Sequence, residues 1–143
     1  MIEYPFKKVM SSRFGSLLKP VIPVTFSGPE GQLDIFALLD SGADISLIPF
    51  SAGEILGFKA NMQNRAEIQG LGDGSVSYLL QKVNLRMNDV DISVRVGWAL
   101  IEEVPFILGR LDLFQELSIE FREFENRILL KRWDELIEGA ELP

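Results

Sequence analysis

Short apolar stretches with polar residues at every second position, separated by glycine, proline and asparagine, run through most of this chain and read as half-buried β-strands. Pro20 to Phe26 predicts one strand, closed by Ser27-Gly28-Pro29 and Gly31. Leu33 to Leu39 predicts another, apolar enough towards its end to be buried on both faces. Pro49 to Leu56, with Gly57 just beyond it, fits a short helix, because proline suits a helix start and glycine its end. Ala66 to Gln69 and Val76 to Arg86 flank Gly70-Leu71-Gly72-Asp73-Gly74 and predict a hairpin with a mobile tip. Asn88-Asp89 turns the chain into Val90 to Ile101, where Val90, Ile92, Val94, Val96 and Trp98 share one face. Pro105 introduces Phe106-Ile107-Leu108, then Gly109-Arg110, and Leu111 to Glu116 predicts one or two helical turns. Leu117 to Phe121 and Arg127 to Lys131 predict a closing hairpin across Glu125-Asn126. Residues from Trp133 to Pro143 are acidic and weakly amphipathic, a short helix or a frayed tail.

With 143 residues, a single domain is expected, its core over about residues 20–132, preceded by an N-terminal segment 1–19 and followed by the acidic tail 133–143. The net charge of −7 argues against nucleic acid as a partner, since phosphate binding needs clustered Lys and Arg. It disfavours avid binding to anionic membranes for the same reason, and no apolar run reaches the length of a spanning helix. The N-terminus lacks the apolar segment of a secretory signal. Without cysteine there is no disulfide framework, and a cytoplasmic protein is the default expectation.

The composition also narrows the chemistry. With neither His nor Cys, Ser-His and Cys-His nucleophilic machinery is impossible within the chain, and zinc loses its two favoured ligand types. Acid–base work is left to carboxylates, Lys, Tyr or a bound metal. One carboxylate is conspicuously placed: Ala37-Leu38-Leu39-Asp40-Ser41-Gly42-Ala43-Asp44 delivers Asp40 from an apolar strand into a Ser-Gly turn. The plain reading of Asp-Ser-Gly is an Asx-turn, with Asp40 bonding its own backbone. The glycines at 70, 72 and 74 precede a predicted strand and so fail the dinucleotide fingerprint, and the calcium-loop pattern of spaced oxygen ligands is missing around Asp73.

Leu38-Leu39-Asp40-Ser41-Gly42-Ala43 resembles the first signature of the retropepsin-like aspartic proteases, an apolar pair before Asp-Thr/Ser-Gly-Ala. Ile107-Leu108-Gly109-Arg110 resembles the second, an apolar pair followed by Gly-Arg, and Ile68-Gln69-Gly70-Leu71-Gly72 is similar to the glycine-rich flap between them. The resemblance spans about Val21 to Lys131 and implies an all-β fold, a closed barrel of the acid-protease type with one or two short helices. It further implies Asp40, Ser41 and Gly42 as the catalytic turn, and Gly42, Ala43, Asp44, Gln69, Gly70, Leu71 and Gly72 as substrate-binding. Ile107, Leu108, Gly109 and Arg110 become structural support for that turn, and the side chains of Asp44 and Arg110 are expected to touch. Two departures stand out, Gln69 where retroviral flaps often carry Gly, and Leu111 where they often place Asn after Gly-Arg.

Hydrolysis of a peptide by this chemistry takes two carboxyls around one water, and the chain holds a single Asp-Ser-Gly. The resemblance therefore implies a homodimeric endopeptidase acting on peptide or protein, with Asp40 from each subunit and no cofactor. The hairpin from Leu117 to Lys131 is a candidate interface, with packing on its own subunit as the equal alternative. Two other functions stay open on the sequence. One is a peptide-binding or dimerisation module that cleaves nothing; the other is a Mg²⁺-dependent phosphotransfer enzyme recruiting Glu54 or Asp44 beside Asp40.

Overall fold

Alternation carries through to packing most directly over Val90–Ala99, where Val90, Ile92, Val94, Val96 and Trp98 are all buried, as a period of two requires. The computed structural model describes residues 1–69 and 74–133. In chain order the strands are β1 (Ile2–Pro5), β2 (Lys7–Ser11), β3 (Gly15–Lys19), β4 (Val21–Ser27), β5 (Gln32–Leu39) and β6 (Ser46–Ile48). Helix α1 (Phe50–Leu56) follows, then β7 (Arg65–Gln69), β8 (Ser75–Met87), β9 (Val90–Ala99) and β10 (Ile107–Leu108). Helix α2 (Leu113–Glu116) leads into β11 (Leu117–Arg122) and β12 (Arg127–Arg132). No helix among the described residues is long and apolar enough to cross a membrane.

Six strands close on themselves in the order β4-β5-β10-β6-β9-β8, and β8 returns to pair with β4. The ring is mixed: β10 runs parallel to β5 and antiparallel to β6, while β6 runs parallel to β9. β10 thus threads between β5 and β6, bringing Leu108 level with Leu39, the residue before Asp40. β7 pairs only with the first half of β8, so this hairpin projects from the ring as the expected flap. Its tip, Gly70 to Asp73, and the tail beyond Trp133 lie outside the described residues.

Local chemistry accounts for most boundaries. Asn88 takes a positive φ of 56° in the two-residue turn between β8 and β9, which Asn tolerates better than most residues. Pro49 starts α1, and Gly57, at φ 85°, ends it by donating to Glu54 O. α1 packs on the ring through Trp98, whose ring stacks on Phe50 at 5.2 Å and whose Nε1 donates to Phe50 O at 2.8 Å. A Cβ on Gly53 would fall 2.1 Å from Trp98 Nε1. Gly53→Ala is therefore expected to cost about 1–3 kcal/mol through overpacking, read as a lower urea midpoint with an unchanged m-value.

The N-terminal residues differ from the sequence reading. β1 pairs with β12, which also pairs with β11, and Ile2, Tyr4 and Phe6 are buried in the main hydrophobic cluster. A four-residue strand followed by polar, cationic residues shows too little alternation to register as core in the sequence. Leu117, Ile128, Leu129 and Leu130 of the closing hairpin are buried against their own subunit. Ile119 and Phe121 are half-buried, and Phe124 at the turn is fully exposed.

Candidate active site

Asp40 stands where β5 leaves the ring. Strand burial fixes the approach, with Ala37 and Leu39 in the core, and Asp40 itself is half-buried at the mouth. Its backbone N–H donates to Leu108 O at 2.9 Å, continuing the β5–β10 ladder by one residue. One carboxylate oxygen, Oδ1, accepts from Gly42 N at 2.9 Å, and the carbonyl of Asp40 accepts from Ala43 N at 3.1 Å. The Asx-turn weighed on sequence is thus present, and it holds one oxygen of the carboxylate. Its second oxygen makes no hydrogen bond among the described residues.

Below this turn lies a backbone cross-brace. Arg110 N donates to Ala43 O and Leu111 N to Asp44 O, each at 2.9 Å. Gly109 N donates to the hydroxyl of Ser46 at 3.0 Å; Ser46 is the single buried polar residue among those described. A Cβ at Gly109 would meet Ile45 O at 2.3 Å, so only glycine lets the two segments approach this closely. Ile107 and Leu108 supply the β10 rungs beside Leu38 and Leu39.

Asp40, Gly42, Ala43 and Asp44 form one side of a cavity of about 890 Å³. Ile45, Leu47 and Ile107 add apolar wall, and Glu67, Ile68, Gln69 and Tyr78 face them from the flap hairpin. The volume lies within the span of small-ligand and peptide clefts. Gln69 is therefore brought to the same cavity as the Asp40-Ser41-Gly42 turn, whereas Gly70, Leu71 and Gly72 lie outside the described residues. Ser41 is exposed beside Asp40.

One expected contact is not made. The segments of Asp44 and Arg110 are bonded through Ala43 and Leu111, but both side chains are exposed and form no ion pair or hydrogen bond with each other. The guanidinium fork that ties this region together belongs instead to Arg95. Arg95 donates to Asp112 through its backbone N at 2.8 Å and through Nε and a terminal nitrogen at 2.9 Å each. Asp112 takes a φ of 66°, a conformation costly for a residue with a Cβ, and Gln115 Oε1 accepts from its backbone N at 3.0 Å. Sequence reading passed over Asp112 and Ser46, since their partners lie 17 and 63 residues away.

The Arg95 hydrogen bonds hold the Asp112 carboxyl below the usual Asp range, against a smaller opposing effect of burial. Because the folded pKa is depressed, this stabilisation is complete above the unfolded Asp value of about 4 and is lost as pH falls through the folded one. Asp112→Asn should therefore flatten the fall in stability below about pH 4, measured by urea unfolding across a pH series. Parallel curves for variant and wild type would count against the assignment.

Among the described residues no group of three or more Asp or Glu side chains is gathered to hold a metal ion, and Glu54 lies exposed on α1, away from the residues lining the cavity.

No model of a known protein family matches the chain, and no curated protein matches it. Solved structures do. The retroviral protease-like domain of Ddi1 from Leishmania major is similar with a TM-score of 0.59 and 17% identity, over 82% of this chain and 90% of that one. EIAV protease complexed with the inhibitor HBY-793 is similar with a TM-score of 0.49 and 23% identity, over 75% and 92% of the two chains. The closed mixed barrel, the two short helices and the likeness to the Ddi1 domain define a retropepsin-like fold.

Proposed function

We propose that the chain is a homodimeric aspartic endopeptidase in which Asp40 of each subunit contributes one carboxyl. The observation that carries this reading is the setting of Asp40: an Asp-Ser-Gly turn, cross-braced to Gly109-Arg110, at the edge of a cavity with apolar walls. Fold alone would not suffice, because one fold hosts many activities.

The mechanism follows from charge. Two carboxyls held about 3 Å apart cannot both carry charge, so the pair holds a single proton. The carboxylate takes a proton from the trapped water as its oxygen adds to the peptide carbonyl carbon. The neutral carboxyl donates to the carbonyl oxygen, giving a tetrahedral gem-diol. A proton delivered to the amide nitrogen then lets the C–N bond break, releasing a carboxylic acid and an amine. Ser41 is assigned a hydrogen bond across the two-fold axis and Gly42 a carbonyl that accepts a substrate amide. An extended peptide would place apolar side chains against Ile45, Leu47, Ile68 and Ile107. The Gln69 to Gly72 tip would close over it and exclude water. A cytoplasmic setting, the default for a chain without disulfides, belongs to the same reading.

The reading is tested by following cleavage of a peptide library against protein concentration. Specific activity is expected to rise in proportion to concentration at high dilution, the total rate rising as its square, and to level off once dimers dominate. Binding of peptides without hydrolysis from acidic to neutral pH would favour the non-cleaving module instead.

A further inference from the structure

The β2–β3 hairpin belongs to no other sheet. Its two strands pair only with each other, Lys7 with Lys19 through Ser11 with Gly15. The turn at its end is ordered by Ser11, whose hydroxyl accepts from the backbone N–H groups of Arg13 and Phe14 at 3.2 Å each. In an antiparallel pair, opposed residues share a face. Val9 and Leu17 are half-buried on one face, while Lys8, Leu18 and Met10 are exposed on the other. Met10 is 76% exposed, Phe14 at the tip 69% and Leu18 50%. A two-stranded ribbon is marginal in water by itself, and apolar side chains presented this way call for a cover.

Two observations say what covers it. The first is position: the carbonyl of Pro20, next to the hairpin's last residue, accepts from Leu39 N at 2.9 Å, one residue before Asp40. If Asp40 meets its symmetry mate, the root of the hairpin stands beside the same axis, and a strand of this length reaches about 17 Å further. The second is charge. The hairpin holds Lys7, Lys8, Arg13 and Lys19 and none of the 21 acids, so the remaining residues carry 10 cations and a net charge of −11. A cationic, apolar arm on an acidic body is complementary to a second copy of that body.

We propose that residues 7–19 form an arm that clasps the second subunit, seating Met10, Phe14 and Leu18 on it while Lys8 and Arg13 face its acidic surface. This rests on the dimer of the preceding section and adds where the affinity resides. The two strands contribute no residue to the buried core, so changing the exposed face leaves each subunit's fold intact.

Two variants of the full chain test the arm, M10S/F14S/L18S and the charge reversal K8E/R13E, each checked for thermal unfolding. Sedimentation equilibrium should show dimer dissociation constants raised about tenfold or more in both. The charge reversal should also lose the wild type's sensitivity to salt. Cleavage at low concentration should fall and return at high concentration, with unchanged turnover per dimer. Folded variants that dimerise with wild-type affinity overturn the proposal. If they do so yet lose a wild-type affinity for phosphatidylserine vesicles, the arm faces lipid and the proposal is equally overturned. A wild type that stays monomeric at every concentration removes the paired-Asp40 reading itself.

Discussion

Asp40→Asn is expected to lower peptide hydrolysis by on the order of 10⁴-fold, the upper end of what positioned acid–base groups supply. One substitution removes both members of the pair, because the dimer repeats it. The amide can neither take a proton from water at neutral pH nor share one with its neighbour. The fold should survive, since an Asn Oδ1 can still accept from Gly42 N, as Asp40 Oδ1 does at 2.9 Å, and Asp40 is only half-buried. The melting temperature should therefore move little while activity disappears. Adding folded Asp40→Asn protein to the wild type gives a sharper measurement. Subunit exchange produces mixed dimers with a single carboxyl, so activity should drop below what dilution explains. Equal cleavage by wild type and variant would remove the mechanism assigned to the site.

Gly109→Ala should damage both stability and activity without touching a single titratable group. Its Cβ would lie 2.3 Å from Ile45 O, 2.4 Å from Ile45 C and 2.9 Å from Ala43 O, all of them main-chain atoms that no rotamer change can move aside. Relief must come from separating the Asp40–Asp44 loop from the Gly109–Arg110 turn, which loosens the bonds from Arg110 N to Ala43 O and Leu111 N to Asp44 O. Overpacking of this sort costs about 1–3 kcal/mol, and more where backbone must yield. A displacement near 1 Å at the reacting groups can lower turnover by about 10²-fold. Urea unfolding and turnover at saturating concentration, where dimers dominate, read the two effects separately. A variant with normal turnover would mean that this brace does not position Asp40.

Much of the ring was visible beforehand because its signals are local. Alternation over Val90–Ala99, the Asn88 turn, and Pro49 and Gly57 around α1 each act within a few residues. β6 escaped notice because three residues are too few to show a period, and its pairing with β9 and β10 is what makes it a strand. The β2–β3 hairpin escaped for the opposite reason: its residues are absent from the hydrophobic core, so a search for buried faces passes over them. The contact between Asp44 and Arg110 was expected from a pattern of residue types. The fold bonds Arg110 to Ala43 and Leu111 to Asp44 through the main chain and leaves the side chains of Asp44 and Arg110 exposed, while the fork is supplied by Arg95 to Asp112.

By itself the sequence determined that chemistry here must do without His and Cys, that one carboxylate sits at the end of an apolar strand, and that two glycine-bearing turns accompany it. Those are properties of composition and of neighbours along the chain. Only the tertiary structure decided that Gly109 lies against Ile45 and Ala43, that the Ser46 hydroxyl holds it there, and that Asp40 opens onto a cavity shared with Gln69 and Tyr78. Such contacts depend on closing a ring between segments some 60 residues apart. No stretch of neighbouring residues encodes that distance.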